Sequence, residues 1–456
     1  MKYYLEVTLA RRILQISALV IKSAGNVPAL THHMVEGHGP LRVKIEKGDN
    51  RLKAATFGKR WAKAAVLWLA LSSLTFAADL RTNPMNYDPQ VQAAYHDFYN
   101  LDFSAAVAGF QQFHAAHPGD PQATAYLLDA LIFQELYRLD LLDTTFYAND
   151  GFLTGRHAVE EDPQKRNEIF ALADEAVREA NWRLSQNPND VDALFARAWV
   201  RALRCTYVAM VERGFATGFR LATKAKDDAV RILQIDPNYT DAKLITGVYE
   251  YVVGALPWPF KLMIGFAGIT GSKATGLAML RDAAAHGVIT RMEASTAIAL
   301  FLRREGKYQQ AIQVVQKLKT DYPHDFLFCL EEANLRKDAG EGMGAVSSYE
   351  QILADMAKPG YFASAKPELA DFGLGDALRG QRHFDQAAEA YERAASAPTV
   401  GAELKIRSLL DAGECRDLAG QRQLAIHDYQ SVVDSAPETS RADQARKYLH
   451  SPYKGS

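Results

Sequence analysis

The chain has 456 residues, enough for two or three compact domains or for one long array. Hydrophobic residues make up 48% of it, which excludes global disorder, and a formal net charge of −2 gives no support for general nucleic-acid binding. Cys205, Cys329 and Cys415 stand far apart with no C-x-x-C pair, so neither a zinc site nor a disulfide framework is legible; they read as small core residues on the first helices of hairpins.

Residues 1–58 carry no sustained period and no capping pattern, and a mis-assigned upstream start explains them. Residues 59–77 have the order of a secretory signal. Lys59, Arg60 and Lys63 precede an apolar run over 64–71, and Ser72-Ser73-Leu74-Thr75-Phe76-Ala77 follows, with cleavage expected after Ala77. The run is shorter than the roughly 20 apolar residues of a membrane-spanning helix. No cysteine follows it to carry a lipid anchor. Translation is expected to begin near Val43 or Leu52, and the mature chain to be exported to the periplasm or cell envelope. A retained, membrane-associated helix at the amino terminus is the alternative.

From Tyr87 onward one punctuation recurs: Pro118-Gly119-Asp120, Pro188-Asn189-Asp190, Pro237-Asn238-Tyr239-Thr240, Pro323-His324-Asp325 and Pro437-Glu438-Thr439. Each proline ends a helix because it lacks the N–H that continues the ladder. Each Asp or Thr is placed to cap the next helix by accepting a backbone N–H.

Residues 408–437 supply a ruler. With Gly413 at position 8, Gly420 falls at 15, Ala425 at 20, Tyr429 at 24, Val432 at 27 and Pro437 at 32. Small residues at 8 and 20 let two helices approach closely, and the larger residues at 24 and 27 share a face of the second helix. This pattern resembles a tetratricopeptide repeat, a helix–turn–helix unit of about 34 residues. Laid along the chain, position 20 falls on Ala106, Ala176, Ala225, Gly276, Ala311, Ala345, Ala387 and Ala425. The resemblance implies an all-α fold, a right-handed α-solenoid of about eight helical hairpins, closed by a short helix over 441–448. Successive spacings of 70, 49 and 51 residues mark insertions in units two, three and four, so residues 87–287 form an irregular half. Residues 288–450 form a regular one, opening with spacings of 35 and 34.

Three places could carry function. The first is the insertion over 139–163, where Phe146, Tyr147 and Phe152 are candidate loop contacts. The second is the apolar segment 251–271, whose only charge is Lys261 and whose Leu256, Trp258, Phe260 and Phe266 are candidate contacts for an apolar partner or a membrane surface. Its Gly271-Ser272-Lys273 is not a phosphate loop, because the order is wrong and no strand precedes it. Gly265-Phe266-x-Gly268 leading to Gly276-Leu277-x-x-Leu280 resembles the eukaryotic inclusion-body-clearance family of tetratricopeptide proteins over residues 240–310. That likeness implies a helical array linked to membrane or lipid-associated cargo, without catalysis. Ala267 and Ile269 stand where that family has Ser and Asp, so no functional residue is carried over.

The third place is the groove that the first helices line in such repeats. Position 12 reads Arg303, Lys337, Arg379 and then Asp417; Arg304 adjoins the first, and Asn334 occupies position 9 of unit six. A row of cations there could hold an acidic peptide or a C-terminal carboxylate, or it could simply sit where helix C-termini favour positive charge. No zinc-protease, nucleophile-elbow or nucleotide motif occurs, and no cofactor or metal is implied. The expectation is a non-catalytic scaffold or adaptor for a protein or peptide partner, with no nucleic acid. A lipid- or membrane-surface-binding protein is the first alternative, and an enzyme with catalytic groups in the 139–163 loop is the second.

Overall fold

The computed structural model describes residues 81–147, 161–256 and 270–455, all within one packed unit. Seventeen α-helices succeed one another in it, and no strand is present among the described residues. The first hairpin is α1 (Pro89–Tyr99) with α2 (Phe103–Ala116), and the second is α3 (Pro121–Arg138) with α4 (Pro163–Gln186). The third is α5 (Val191–Met210) with α6 (Phe215–Ile235), and the fourth α7 (Ala242–Ala255) with α8 (Lys273–His286). Then come α9 (Arg291–Arg304) with α10 (Tyr308–Asp321), α11 (Phe326–Asp338) with α12 (Gly342–Met356), and α13 (Pro367–Gly380) with α14 (Phe384–Ser396). The eighth is α15 (Ala402–Leu418) with α16 (Arg422–Ser435), and α17 (Ser440–His450) closes the array. The fold is an all-α solenoid of helical hairpins.

The punctuation works through its side chains. Asp120 accepts from Gln122 N (2.8 Å), Asp190 from Ala193 N (3.0 Å), Asp325 from Phe328 N (3.1 Å) and Thr439 Oγ1 from Ala442 N (3.2 Å). After Pro237 the device differs. Asp241, not Thr240, stands before α7, and its side chain makes no cap bond. Its carboxylate is drawn to the next hairpin, where it accepts from Val288 N (2.9 Å), Thr290 N (3.2 Å) and Thr290 Oγ1 (2.8 Å). Thr82 donates to the same carboxylate. Arg81 N bonds Asn238 O (3.2 Å) and the Arg81 side chain reaches Asp236, so the packed array begins ahead of Tyr87.

The ruler positions form the core. Position 20 is buried in all eight units, and the residues at position 24 (Phe110, Ala180, Ala229, Leu280, Val315, Tyr349, Tyr391 and Tyr429) are 0–1% exposed. At position 8, a Cβ on Gly375 would stand 2.7 Å from the Tyr391 ring and one on Gly413 2.6 Å from the Tyr429 ring. The glycine thus makes room for the aromatic ring of its own second helix. Unit three departs from its expected form. Its extra length lies in the helices themselves, 20 residues in α5 and 21 in α6 against 14 in each of α9 and α10, and no long loop is inserted. One continuous apolar cluster runs from Val91 to Cys415, and Ile406, Leu410, Tyr429, Val432, Ala442 and Ala445 form a second beneath α17.

Candidate functional site

The first helix of the first hairpin meets that of the fifth. Tyr99 of α1 donates to Glu293 of α9, and its ring lies 5.3 Å from that of Tyr322 at a tilt of 56°. The cations expected along the inner face are all engaged. Arg303 Nε bonds Asp338 Oδ2 (2.7 Å), and its Nη1 lies 3.2 Å from Glu331 Oε2. Lys337 Nζ meets Asp376 Oδ2 at 2.7 Å. Arg379 reaches Asp411 (3.2 Å), Glu414 and the Tyr453 hydroxyl. Each position-12 cation therefore pairs with carboxylates on the first helix of the next hairpin. Burial disfavours the charge on Arg379, but Asp411 and Glu414 outweigh it and raise its pKa. Asp376 is likewise held below the usual carboxylate range, against burial, by Lys337 and Arg407. Asp417 ends the series, accepting from Arg422 (3.0 Å), the Tyr429 hydroxyl (3.0 Å) and Tyr453 N (2.7 Å). Arg304 is exposed on the last turn of α9.

Asn334 belongs to a different arrangement. Its Oδ1 accepts from the Tyr349 hydroxyl (2.6 Å), and its Nδ2 donates to Asp143 Oδ1 (3.2 Å). Asp143 lies in the start of the second-unit insertion, and residues 138–147 form a strap along the inner face. Lys366 Nζ bonds Arg138 O (3.2 Å) and the Asp140 carboxylate, which also accepts from Gly401 N (2.8 Å). Arg303 Nη1 donates to Thr144 Oγ1 (2.6 Å), which in turn bonds Glu331. Tyr137 donates to Ser364 O (2.6 Å). The strap is thus pinned to α9, α11 and the starts of α13 and α15.

Local backbone geometry aims it. Asp140 sits at φ 60°, the left-handed region that usually takes glycine after a helix, with Leu141 N bonded to Leu136 O (2.9 Å). An aspartate at that position ends α3 and at the same time carries its carboxylate to Lys366. Lys366→Ala is expected to speed tryptic cleavage after Arg138 about tenfold by loosening the strap locally. An unchanged cleavage rate would show that Gly401 and Asn334 hold it without the lysine. Arg303 and Asn334 are therefore brought together on one segment of the chain's own. Lys337 and Arg379, which bridge to the next hairpin as Arg303 does, pair with Asp376 and with Asp411 and Glu414. Lys366 and Asp140 had no signal in the repeat pattern beyond the acidic pair Asp140-x-x-Asp143 inside an insertion.

A second set of acids lies between α1, α3 and α9. Burial pushes Asp129 up to about 7, partly offset by the Tyr95 hydroxyl that bonds it (3.3 Å). Burial likewise pushes Glu293 up to about 8, and Asp129 adds to the shift. Both groups bind protons more tightly in the folded chain than in the unfolded one, so stability falls as pH rises from about 4.5 toward about 8. The melting temperature is expected to drop by about 5 °C between about pH 5.5 and about pH 8.5. Asp129→Asn combined with Glu293→Gln is expected to lessen that dependence in a thermal-melt series, with Asp325, Glu331, Glu414 and Asp428, each pushed up to about 7 by burial, carrying the rest. A slope left intact in the double variant would assign it to other groups.

Phe152, Trp258, Phe260 and Phe266 lie outside the described residues, as do 1–58, the signal-like segment 59–77 and Gly265-Phe266-x-Gly268. Phe146 and Tyr147 fall in the 3-10 turn Thr144–Tyr147, with side chains outside the description. Leu256 follows the end of α7 and is half-buried. No described helix is long and apolar enough to cross a membrane. Among the described residues no group of three or more His, Cys, Asp or Glu is placed to hold a metal ion.

No protein-family model matches the chain, and no curated protein matches it in sequence. Among solved structures it is similar to the APC/C hetero-tetramer Cut9–Hcn1, at 12% identity and a TM-score of 0.45, over 87% of this chain. It spans 60% of that longer chain. A tetratricopeptide repeat protein from Parabacteroides merdae matches at 15% identity and a TM-score of 0.33, covering 71% of this chain and 99% of that one. Yeast Tom70 matches at 11% identity and a TM-score of 0.38, covering 86% and 93%. These likenesses concern the fold.

Proposed function

We propose that the chain is a non-catalytic protein–protein interaction scaffold, exported to the bacterial envelope. The observation that carries the reading is the strap. The inner face of the hairpin array holds a ten-residue stretch, 138–147, by its carboxylates Asp140 and Asp143 and its hydroxyl Thr144, through Lys366, Asn334, Arg303 and the Gly401 amide. This is the chemistry by which a repeat groove recognises a peptide: charge-assisted bonds to carboxylates, placed on rigid helices. Here the chain's own segment occupies that stretch, which leaves the outer surface for partners. Export rests on the basic, apolar, small-residue order of 59–77.

Crosslinking in the native organism, followed by affinity purification, is expected to return a defined protein partner in the envelope fraction. Recovery of the chain alone, or turnover of a small molecule by the purified protein, would replace the reading. Mass spectrometry of the mature protein is expected to begin near residue 78. A peptide from residues 20–50 would overturn the proposed start and with it the signal.

A further inference from the structure

The outer surface carries a cleft between the second helices α8 and α10, floored by α9. Its volume is about 510 Å³. The buried Ile298 and Leu302 of α9 and the half-buried Val314 of α10 form the apolar floor, and Arg281, Arg291 and Lys317 stand on its rim. All three cations are exposed. Arg291 Nε bonds only a backbone carbonyl, Gly287 O, at 3.3 Å, and among the described residues none of the three has a carboxylate within ion-pair distance. Asp321 is the single acid of the lining, so the cleft is basic.

The next hairpin supplies an internal control. The equivalent cleft between α10 and α12, floored by α11, measures about 260 Å³. There Glu332 bridges Lys319 (2.6 Å) and Arg336 (2.8 Å) and closes the floor with ion pairs. Those pairs pull the Glu332 carboxyl down to about 2 against the upward push of burial. On the repeat ruler, Glu332 corresponds to Ile298, Arg336 to Leu302 and Lys319 to Ala284. In the first cleft the bridging acid is thus an isoleucine and the wall lysine an alanine. The result is a larger cleft with an apolar floor, whose rim cations have no carboxylate partner among the described residues.

We infer that this cleft docks an acidic amphipathic helix of a partner protein; the inference rests on the scaffold reading and names the partner's chemistry. A helix fits because the walls are side chains of two helices and offer no backbone edge, so the occupant must satisfy its own backbone hydrogen bonds. The lining along α9 from Arg291 to Leu302 is about 16 Å long, the length of three helical turns. An apolar stripe on the occupant meets Ile298, Leu302 and Val314, and carboxylates flanking it meet Arg281, Arg291 and Lys317.

The test is peptide display from a random library of about four-turn length against the full chain, with an R281E/K317E variant alongside. Both substituted residues are exposed, so the variant is expected to melt as wild type does. Wild type is expected to enrich sequences with Asp or Glu flanking an apolar helical stripe. Synthetic copies are expected to bind R281E/K317E at least about tenfold more weakly and to bind Q351E, changed in the neighbouring cleft, as they bind wild type. Enriched peptides without the acidic pattern, or with equal affinity for R281E/K317E, overturn the cleft and leave the scaffold reading standing. Failure to enrich any peptide, together with no partner from the crosslinked organism, overturns both. A short single-stranded RNA that binds at physiological salt, loses binding in R281E/K317E and has no peptide competitor would make the cleft a phosphate site and overturn the proposal.

Discussion

Arg303→Ala is expected to destabilise the chain by about 3–5 kcal/mol in urea unfolding. The side chain is 1% exposed and joins three groups: Asp338, Glu331 and the strap hydroxyl of Thr144. Deleting it leaves Glu331 buried without its cation. Burial already pushes that carboxyl up to about 7 with the arginine in place. The cost therefore comes mainly from an uncompensated buried acid, and a partner change separates this from lost packing. Arg303→Met with Glu331→Leu is expected to recover most of the stability, because an apolar pair of similar volume removes the desolvation cost of both charges. A single variant within about 1 kcal/mol of wild type would mean that water enters and solvates Glu331. The same series separates a structural role from a groove role, since loss of partner affinity in the stable double variant would reassign Arg303 to recognition.

Gly276→Ala is expected to cost about 3 kcal/mol, against what the repeat pattern alone suggests. Seven of the eight position-20 residues are alanine, and alanine favours a helix over glycine by about 1 kcal/mol. The repeat would therefore welcome the change. The structure opposes it. A Cβ on Gly276 would lie 2.6 Å from Gly247 O and 2.6 Å from Tyr251 N, both backbone atoms of α7. Gly247 faces it from the other side, with its own Cβ position 3.0 Å from Gly276 O. Two glycines thus let these two backbones touch, and neither helix can yield by turning a side chain. A Gly276→Ala variant that unfolds at the same urea concentration as wild type would show that α7 and α8 stand further apart than this. Gly375→Ala is a milder comparison, since its obstacle is the Tyr391 ring and not backbone.

Gly276 also shows how far the repeat is legible. Residues 408–437 alone place every buried position 20 and 24, because a solenoid buries the same face in each unit and the period survives in sequence. The caps at Asp120, Asp190, Asp325 and Thr439 were legible for the same reason, being local interactions within three residues. Asp241 was not, since its partners Val288 and Thr290 lie 47 and 49 residues away. The length of unit three was visible as spacing, but spacing does not say whether extra residues extend helices or enter loops.

The candidate site divides on the same line. The cations at positions 303, 337 and 379 were legible as a row. Their partners were not, because each pairs with acids on the next hairpin. The sequence by itself determined the buried face, through short-range periodicity, and its resemblance to a tetratricopeptide repeat implied the all-α class and about eight hairpins. Only the tertiary structure decided that the inner row is neutralised, that 138–147 lies along it under Lys366, and that the outer cleft at Arg281 and Lys317 is left open. Those outcomes depend on which charges packing brings together: side chains of adjacent hairpins 32–39 residues apart in the inner row, and Asp140 and Lys366 at a separation of 226 in the strap. No local period encodes such a meeting.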